Sequence, residues 1–299
     1  MKRGRILKDR TVRYVIPGLA VFVILLLIII GVSLFIMSLP VMEEKNLLKL
    51  LTSSEWRPFK GEFGFLPFII STLYVSLIAI VIALPFSVLI SIYLHSYATR
   101  PVKRFFEPVV DLLSGIPPVI YGVWGTLTIV PFISNILAPY FVDYSTGYSI
   151  LAGGIVLAVM IIPLLISIIT ELFRSVPNEI TDASLALGAT KWQTAKKVLI
   201  RRSLPGIIAS IVLALSRAFG ETMAVLMVCG NIPVIPQSLF DSGYPLPALI
   251  ANNYGEMLSL PGYKSALLFA AFLLFIIVVL FNGISRFVLK QLAKSYQFS

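Results

Sequence analysis

The stretch LPFIISTLYVSLIAIVIALPFSVLISIYL, residues 66–94, carries no charged side chain and is long enough to cross the hydrocarbon core of a bilayer as one helix. Further stretches meet the same criterion of about 20 predominantly apolar residues. The predicted spans are 14–38, 66–94, 112–136, 149–170, 206–229 and 265–287. The sequence therefore predicts an all-α integral membrane protein with six transmembrane helices.

Composition excludes several other classes of protein. Of the 299 residues, 58% are hydrophobic and 13% are charged, whereas soluble domains carry about 25% charged residues. Cys229 is the single cysteine, so no disulfide can form within the chain, and the single histidine, His95, excludes a His-rich metal site. The uncharged run 14–39 exceeds the apolar core of a signal peptide, so we expect a retained span. We expect no metal and no cofactor.

Lys and Arg are distributed unequally between the two sides of the predicted spans. The segments on one side carry 18 of the 24 basic residues. The positive-inside rule makes that side cytoplasmic, so both termini are predicted to lie in the cytoplasm of a multi-pass cell-membrane protein. We therefore predict three parts in the chain: a basic N-terminus (1–13), a permease domain (14–287) and a cytoplasmic tail (288–299). Topology accounts for most of the net charge of +10, so we expect no nucleic-acid partner.

The third predicted span differs from the others because glycine and proline interrupt it. The stretch GIPPVIYGVWG, residues 115–125, holds three Gly and two adjacent Pro. Backbone groups released by such a break persist at membrane depth only where protein or a cavity covers them. Two interpretations remain open: a kink packed against a neighbouring helix, or a half-helix that lines a cavity.

Arg217 and Glu221 are the charged residues of an otherwise uncharged stretch, residues 203–230. A charge at the centre of a membrane helix costs about 2.5–3.5 kcal/mol on insertion scales. At a spacing of i,i+4 the two side chains are predicted to share one helix face and to pair. The pair could steady a helix interface, or it could form a polar contact on a transport path, with the Thr222 hydroxyl beside it. Arg suits an oxyanion because its planar guanidinium donates several hydrogen bonds.

The connection 171–205 is the longest on the cytoplasmic side and is predicted to contain two short helices. Pro177 marks the first helix start, Gly188 is a natural helix stop, and Thr190 with Gln193 predicts a capping box for the second helix. The two helices could lie on the bilayer surface, or they could form a docking knob for a soluble partner.

The sequence DASLALGAT, residues 182–190, resembles the EAA loop of ABC-importer permeases, which docks into the ATPase subunit. Asp182 stands where Glu is usual and Gly188 is in register. Three other stretches resemble the phosphate-importer permeases within this group: WRP at 56–58 with FGFLPF at 63–68 and STL at 71–73, GIPPVIYGVWG at 115–125, and RAFGETMAV at 217–225. The residues 223–225 favour one of the two sister permeases of such importers over the other.

The resemblance implies a type I ABC importer permease fold with a cytoplasmic coupling loop, and a subunit that forms half of the pathway for inorganic phosphate. It implies a sister permease, two ATPase subunits and an extracytoplasmic phosphate-binding protein as partners. Arg217 and Glu221 carry over as transport residues, and Asp182, Ala183 and Gly188 as the ATPase-coupling loop.

Alternative functions remain open from the residues alone. They are transport of a related oxyanion, a stand-alone secondary carrier or channel, and an intramembrane enzyme. The sequence lacks a G-x-x-x-x-G-K-[ST] phosphate loop, so we expect ATP hydrolysis in a partner and no catalytic residues in this chain.

Overall fold

The computed structural model describes residues 2–255 and 262–297, and these fold mainly into helices. The α-helices are α1 (Lys2–Glu44), α2 (Leu47–Thr52), α3 (Leu66–Ile92), α4 (Arg100–Gly115), α5 (Pro118–Trp124), α6 (Val130–Phe132), α7 (Ile150–Arg174), α8 (Asn178–Ala186), α9 (Lys191–Thr194), α10 (Ile200–Gly220), α11 (Met223–Val228), α12 (Leu246–Asn253) and α13 (Tyr263–Gln297). Turns of π-helix extend or join several of them, at Tyr93–Tyr97, Gly125–Ile129, Ile133–Leu137 and Ala195–Leu199. Two short strands, β1 (Trp56–Arg57) and β2 (Glu62–Phe63), form an antiparallel hairpin around a 3₁₀ turn, Pro58–Lys60, and a second 3₁₀ turn covers Ala138–Tyr140.

Six helical segments among the described residues are long and apolar enough to cross a membrane, which confirms the predicted number of spans. They are Val15–Glu44, Leu66–Tyr97, Pro118–Tyr140, Ile150–Arg174, Lys191–Gly220 and Tyr263–Ile284. The predicted bounds are wrong at spans three and five. Span three begins at Pro118 and not at residue 112, and span five begins earlier and ends earlier than predicted.

Spans two and four, formed by α3 and α7, pack against each other at the centre of the main hydrophobic core. The Ser87 hydroxyl donates to the Ile162 carbonyl and the Ser91 hydroxyl donates to the Ile166 carbonyl, at 3.4 and 3.3 Å. Gly154 permits this approach, because a Cβ atom there would lie 2.4 Å from Cγ2 of Ile78. Small residues at helix contacts are typical of membrane proteins, in which packing rather than water exclusion drives association.

The break predicted near the start of span three is present, and it separates α4 from α5. The helix stops at Gly115 because Pro117 and Pro118 cannot continue its hydrogen-bond ladder. Gly122 and Gly125 lie after the break and contact neighbouring helices: a Cβ atom on Gly122 would lie 2.7 Å from the Met227 sulphur. These two glycines therefore serve helix packing, and both interpretations of the break itself stay predictions.

The stretch 230–262 contains five prolines, no basic residue and several apolar side chains, which predicts a loop that folds back onto the helices. Its described residues confirm this prediction. Tyr244 and Leu246 are buried, and their backbone N–H groups donate to the hydroxyls of Ser71 and Thr72 on α3, at 3.2 and 2.9 Å. The prediction named Pro261 in this loop, which lies outside the described residues. The loop and the hairpin of β1 and β2 together cover the N-terminal ends of α3 and α13, which belong to spans two and six.

We predict that Gly125→Ala destabilises the protein. The new Cβ would lie 2.5 Å from Cγ2 of Val156 and 3.0 Å from Cγ1 of Val228, and overpacking of this kind typically costs about 1–3 kcal/mol. Gly115→Ala is the matched control, because no atom lies within 4 Å of a Cβ at that position. The measurement is thermal unfolding in detergent, and equal melting temperatures for the two variants would contradict the packing assignment.

Candidate functional site

The fifth span does not continue as one helix through the predicted charged pair. Helix α10 ends at Gly220, Glu221 has an extended backbone (φ −74°, ψ 119°), and α11 begins at Met223. The predicted pairing of Arg217 with Glu221 on one helix face is therefore wrong. Both residues are described by the structure, and no nitrogen–oxygen distance of 4.0 Å or less joins their side chains.

The side chains at the break bind backbone groups that the break releases. A helix end leaves N–H and C=O groups without partners, and in an apolar bundle each unpaired group is costly. The Glu221 carboxylate (Oε1) accepts from the Ala224 N–H at 3.3 Å, in the first turn of α11. The Thr222 hydroxyl donates to the Gly220 carbonyl at 3.3 Å, at the end of α10. Glu221 and Thr222, two of the three residues predicted for the transport path, thus stabilise the backbone of the break.

The break also places each charge at a favourable helix end. Arg217 lies in the last turn of α10, where the helix macrodipole favours a cation. Glu221 lies before the first turn of α11, where exposed N–H groups favour an anion. Such placements contribute about 0.3–1 kcal/mol each at exposed sites. Each charge is therefore stabilised by the dipole of the helix end beside it and not by the other charge.

Arg217 is half-buried and lies between a packed side and an open side of α10. Ala214, three residues earlier, is fully buried, whereas Leu213, four residues earlier, is 52% exposed. Gly220, three residues later, is exposed, and no atom lies within 4 Å of a Cβ built there. A cation therefore stands at the edge of a surface that this chain leaves uncovered.

The residues predicted to form the coupling loop lie together in a separate place, on α8 and the turn that follows it. Asp182 and Ala183 are exposed on α8, and exposed Gly188 adopts a left-handed conformation (φ 85°) at the helix stop, as predicted. The predicted capping box is also confirmed: the Thr190 hydroxyl accepts from the Gln193 N–H, and the Gln193 side chain accepts from the Thr190 N–H, at 3.2 and 2.9 Å.

The loop presents large apolar side chains on its surface. Leu187 is 90% exposed and Trp192 is 48% exposed, beside Ile180 and Leu185. The loop also has internal structure, because the hydroxyls of Ser184 and Thr194 lie 3.0 Å apart and join α8 to the start of span five. An ordered, apolar and exposed surface is typical of an interaction site.

A continuous helix, Lys191–Gly220, connects the two groups of predicted site residues. Its 30 residues correspond to about 45 Å of helix, so the loop and Arg217 lie at opposite ends of the same helical segment. The sequence prediction ended its loop at residue 205 and therefore missed this continuity. Within the described part of the chain, no three His, Cys, Asp or Glu side chains come together in a way that could hold a metal.

The break itself was missed, although the sequence contains its signals. Gly220 is a helix-stopping residue, and Thr222 directly precedes the apolar run of α11 as a helix-starting residue does. The contact between Ser216 on α10 and Asn282 on α13 was also missed. Asn282 is a lone amide among the apolar residues of span six, which is the signal that could have indicated it.

Comparison with known proteins agrees with this architecture. The family model described as "binding-protein-dependent transport system inner membrane component" matches residues 83–294. A phosphate transport system permease protein PstC of Xylella fastidiosa is 36% identical over 81% of this chain and 78% of its own length. A probable phosphate transport system permease protein PstC of Methanocaldococcus jannaschii is 32% identical over 92% of this chain and 91% of its own. A probable ABC transporter permease protein YqgH of Bacillus subtilis is 40% identical over 70% and 67%.

Two solved structures share the fold. A chain of a bacterial alginate ABC transporter superposes with a TM-score of 0.61, 15% identity, and coverage of 96% of this chain and 99% of its own. A chain of the MetNI methionine ABC transporter superposes with a TM-score of 0.56, 24% identity, and coverage of 76% and 94%. The chain belongs to the binding-protein-dependent transport system inner membrane components, the permease subunits of ABC importers, and within that family to the PstC permeases.

Proposed function

We propose that this chain forms half of the transmembrane pathway of an ATP-driven importer of inorganic phosphate. The names of its relatives support phosphate as the substrate. Its partners in this proposal are a PstA-like sister permease, PstB-like ATPase subunits and a PstS-like extracytoplasmic phosphate-binding protein. Both termini and the loop 171–205 lie in the cytoplasm, in keeping with the distribution of basic residues.

The observation that carries the proposal is the position of Arg217 beside an uncovered surface at a break in span five. Phosphate must cross a region of low dielectric, where an unaided anion faces a large desolvation cost. A fixed guanidinium lowers that cost, because its planar fork donates several hydrogen bonds to an oxyanion. Since α10 ends at Gly220, the bare backbone at that position lets an anion approach Arg217 closely.

Glu221 and Thr222 have a different part in this proposal. They keep the break open by binding the Ala224 N–H and the Gly220 carbonyl, and so they fix the end of α10 where Arg217 stands. Glu221 also balances the charge of the region without occupying the guanidinium. We infer that all three residues belong to the transport pathway, Arg217 by contact with phosphate and the other two by shaping the site.

The loop around Asp182, Ala183 and Gly188 is the docking site for the ATPase in this proposal. Its exposed apolar side chains, Leu187 above all, supply the contact surface, and the left-handed turn at Gly188 sets their direction. ATP is hydrolysed in the partner, and span five carries the resulting movement from the loop to Arg217. This chain therefore acts as a transport subunit without an ATPase site of its own.

We predict that Arg217→Gln abolishes phosphate uptake while the complex still assembles, because the cation is lost. Arg217→Lys keeps the charge but loses the planar fork, so we expect uptake at least about tenfold below that of the native protein. The measurement is phosphate uptake by cells, normalised to the amount of the chain in the membrane. Native uptake by a well-expressed Arg217→Gln variant would exclude Arg217 from the pathway.

We predict that Glu221→Gln and Glu221→Ala differ in stability. The amide oxygen of Gln can still accept from the Ala224 N–H, whereas Ala removes the acceptor, and loss of such a cap costs about 0.5–2 kcal/mol. Thermal unfolding of the two variants in detergent is the measurement.

Because Glu221 is not paired with Arg217, the double variant Arg217→Gln/Glu221→Gln should transport no better than Arg217→Gln. Recovery of transport in the double variant would restore the ion-pair interpretation.

We predict that Gly188→Val uncouples ATP hydrolysis from transport without reducing membrane insertion. A β-branched residue resists φ of 85°, so the apolar surface of the loop would be redirected. Gly188→Asn is the matched control, since Asn tolerates the left-handed region and no atom lies within 4 Å of a Cβ there. Phosphate-stimulated ATP hydrolysis by the assembled complex is the measurement. Equal coupling in both variants would contradict the docking assignment.

A further inference from the structure

Asn282 of span six makes the polar contact between α13 and the last turn of α10. The Ser216 hydroxyl donates to the Asn282 side-chain oxygen (Oδ1) at 3.1 Å. The Asn282 amide nitrogen (Nδ2) donates to the Val278 carbonyl of its own helix at 2.8 Å, which fixes the orientation of the side chain. An amide in an apolar span is unfavourable unless its groups are paired, so this contact calls for an explanation beyond packing.

A second contact joins the same two helices one turn further along. The rings of Phe219 and Phe281 are 4.8 Å apart between centroids, with an interplanar angle of 54°. Ser216 and Phe219 are spaced i,i+3, so they lie on one face of α10, and Asn282 and Phe281 meet them from span six. Arg217 lies between these two anchored residues in the chain.

The last turn of α10 gains from such anchoring because the helix ends directly after it. No helical turn follows Gly220: the Ala218 carbonyl accepts the Glu221 N–H at 3.2 Å and the Gly220 carbonyl accepts the Thr222 hydroxyl at 3.3 Å, so the turn is held on that side by the two residues of the break alone. If this turn frayed, the Arg217 side chain would no longer have a defined direction. The hydrogen bond to Asn282 and the aromatic contact hold the turn against span six.

We propose that Asn282 is a positioning residue for transport, which acts through Ser216 to fix the direction of the Arg217 guanidinium. This inference rests on the proposed role of Arg217. Its structural part, the ordering of the last turn of α10 by span six, holds independently of what Arg217 binds.

The transport test uses Ser216→Ala and Asn282→Leu in the assembled importer. Both variants remove the hydrogen bond between the helices, and we expect the maximal rate of phosphate uptake to fall about ten- to a hundredfold, because small misplacements of a binding group have effects of this size. The phosphate concentration for half-maximal uptake should stay unchanged, since capture by the binding protein precedes this step. Ser210→Ala is the matched control: its buried hydroxyl donates within α10 only, to the Ile207 carbonyl.

The structural test measures the order of the turn directly. Gly220→Cys in a Cys229→Ala background gives a single labelling position, in an exposed place where no atom lies within 4 Å of a Cβ. A nitroxide attached there should become more mobile by electron paramagnetic resonance when Ser216→Ala or Asn282→Leu is added, and should not change with Ser210→Ala. Ser216→Ala removes one hydroxyl only, so it keeps the test available should Asn282→Leu fail to fold.

The outcomes separate this inference from the proposed function. Unchanged label mobility in both variants, or an equal increase with Ser210→Ala, overturns the positioning role. Increased mobility with an unchanged maximal uptake rate overturns it too, because the turn would then be ordered for stability alone. Native uptake by Arg217→Gln overturns the proposed function, and the label mobility still reports whether Asn282 orders the turn.

Discussion

The structure depends on how backbone groups released inside an apolar helix bundle find partners. Span five ends at Gly220 and resumes at Met223, so N–H and C=O groups are released where the neighbouring side chains are apolar. Glu221 and Thr222 supply an acceptor and a donor for two of these groups. The same local chemistry places Arg217 at a helix C-terminus, where a cation is favoured. The break is thus the place in the apolar part of the span where a charge is best tolerated.

The two halves of the broken span differ in what holds them. Helix α11 packs closely on span three, where Gly122 leaves no room for a side chain between the helices, and Gly125 contacts Val228 in the same way. Helix α10 is instead continuous, through the π-turn Ala195–Leu199 and α9, with the loop that carries Gly188. A rigid-body movement of that loop would therefore move α10 relative to α11, which is fixed to its neighbours, and the chain would bend at residues 220–222. In the proposed function, this arrangement would join an event in the ATPase partner to a change around Arg217.

The sequence was sufficient for features that depend on local signals. The six spans follow from long apolar runs, and the stop at Gly188 and the capping box of Thr190 follow from residues within one helical turn. The break after Gly220 was missed because the i,i+4 spacing of Arg217 and Glu221 favoured an unbroken helix over the weaker stop and start signals of Gly220 and Thr222. The contact between Ser216 and Asn282 joins positions far apart in the chain, so it requires the packing of span six.

The separation of Arg217 from Glu221 bears on how an anion could be bound and then released. In an ion pair, an incoming anion must displace the carboxylate from the guanidinium, and the released carboxylate would then remain uncompensated in a region of low dielectric. Here the carboxylate binds the Ala224 N–H and not the guanidinium, so an incoming anion need not displace it from Arg217. The negative charge nearby still weakens the attraction of Arg217 for a bound oxyanion. With the role proposed for Arg217, such a site would lower the barrier to passage without holding the substrate tightly, which is the requirement for a transport pathway.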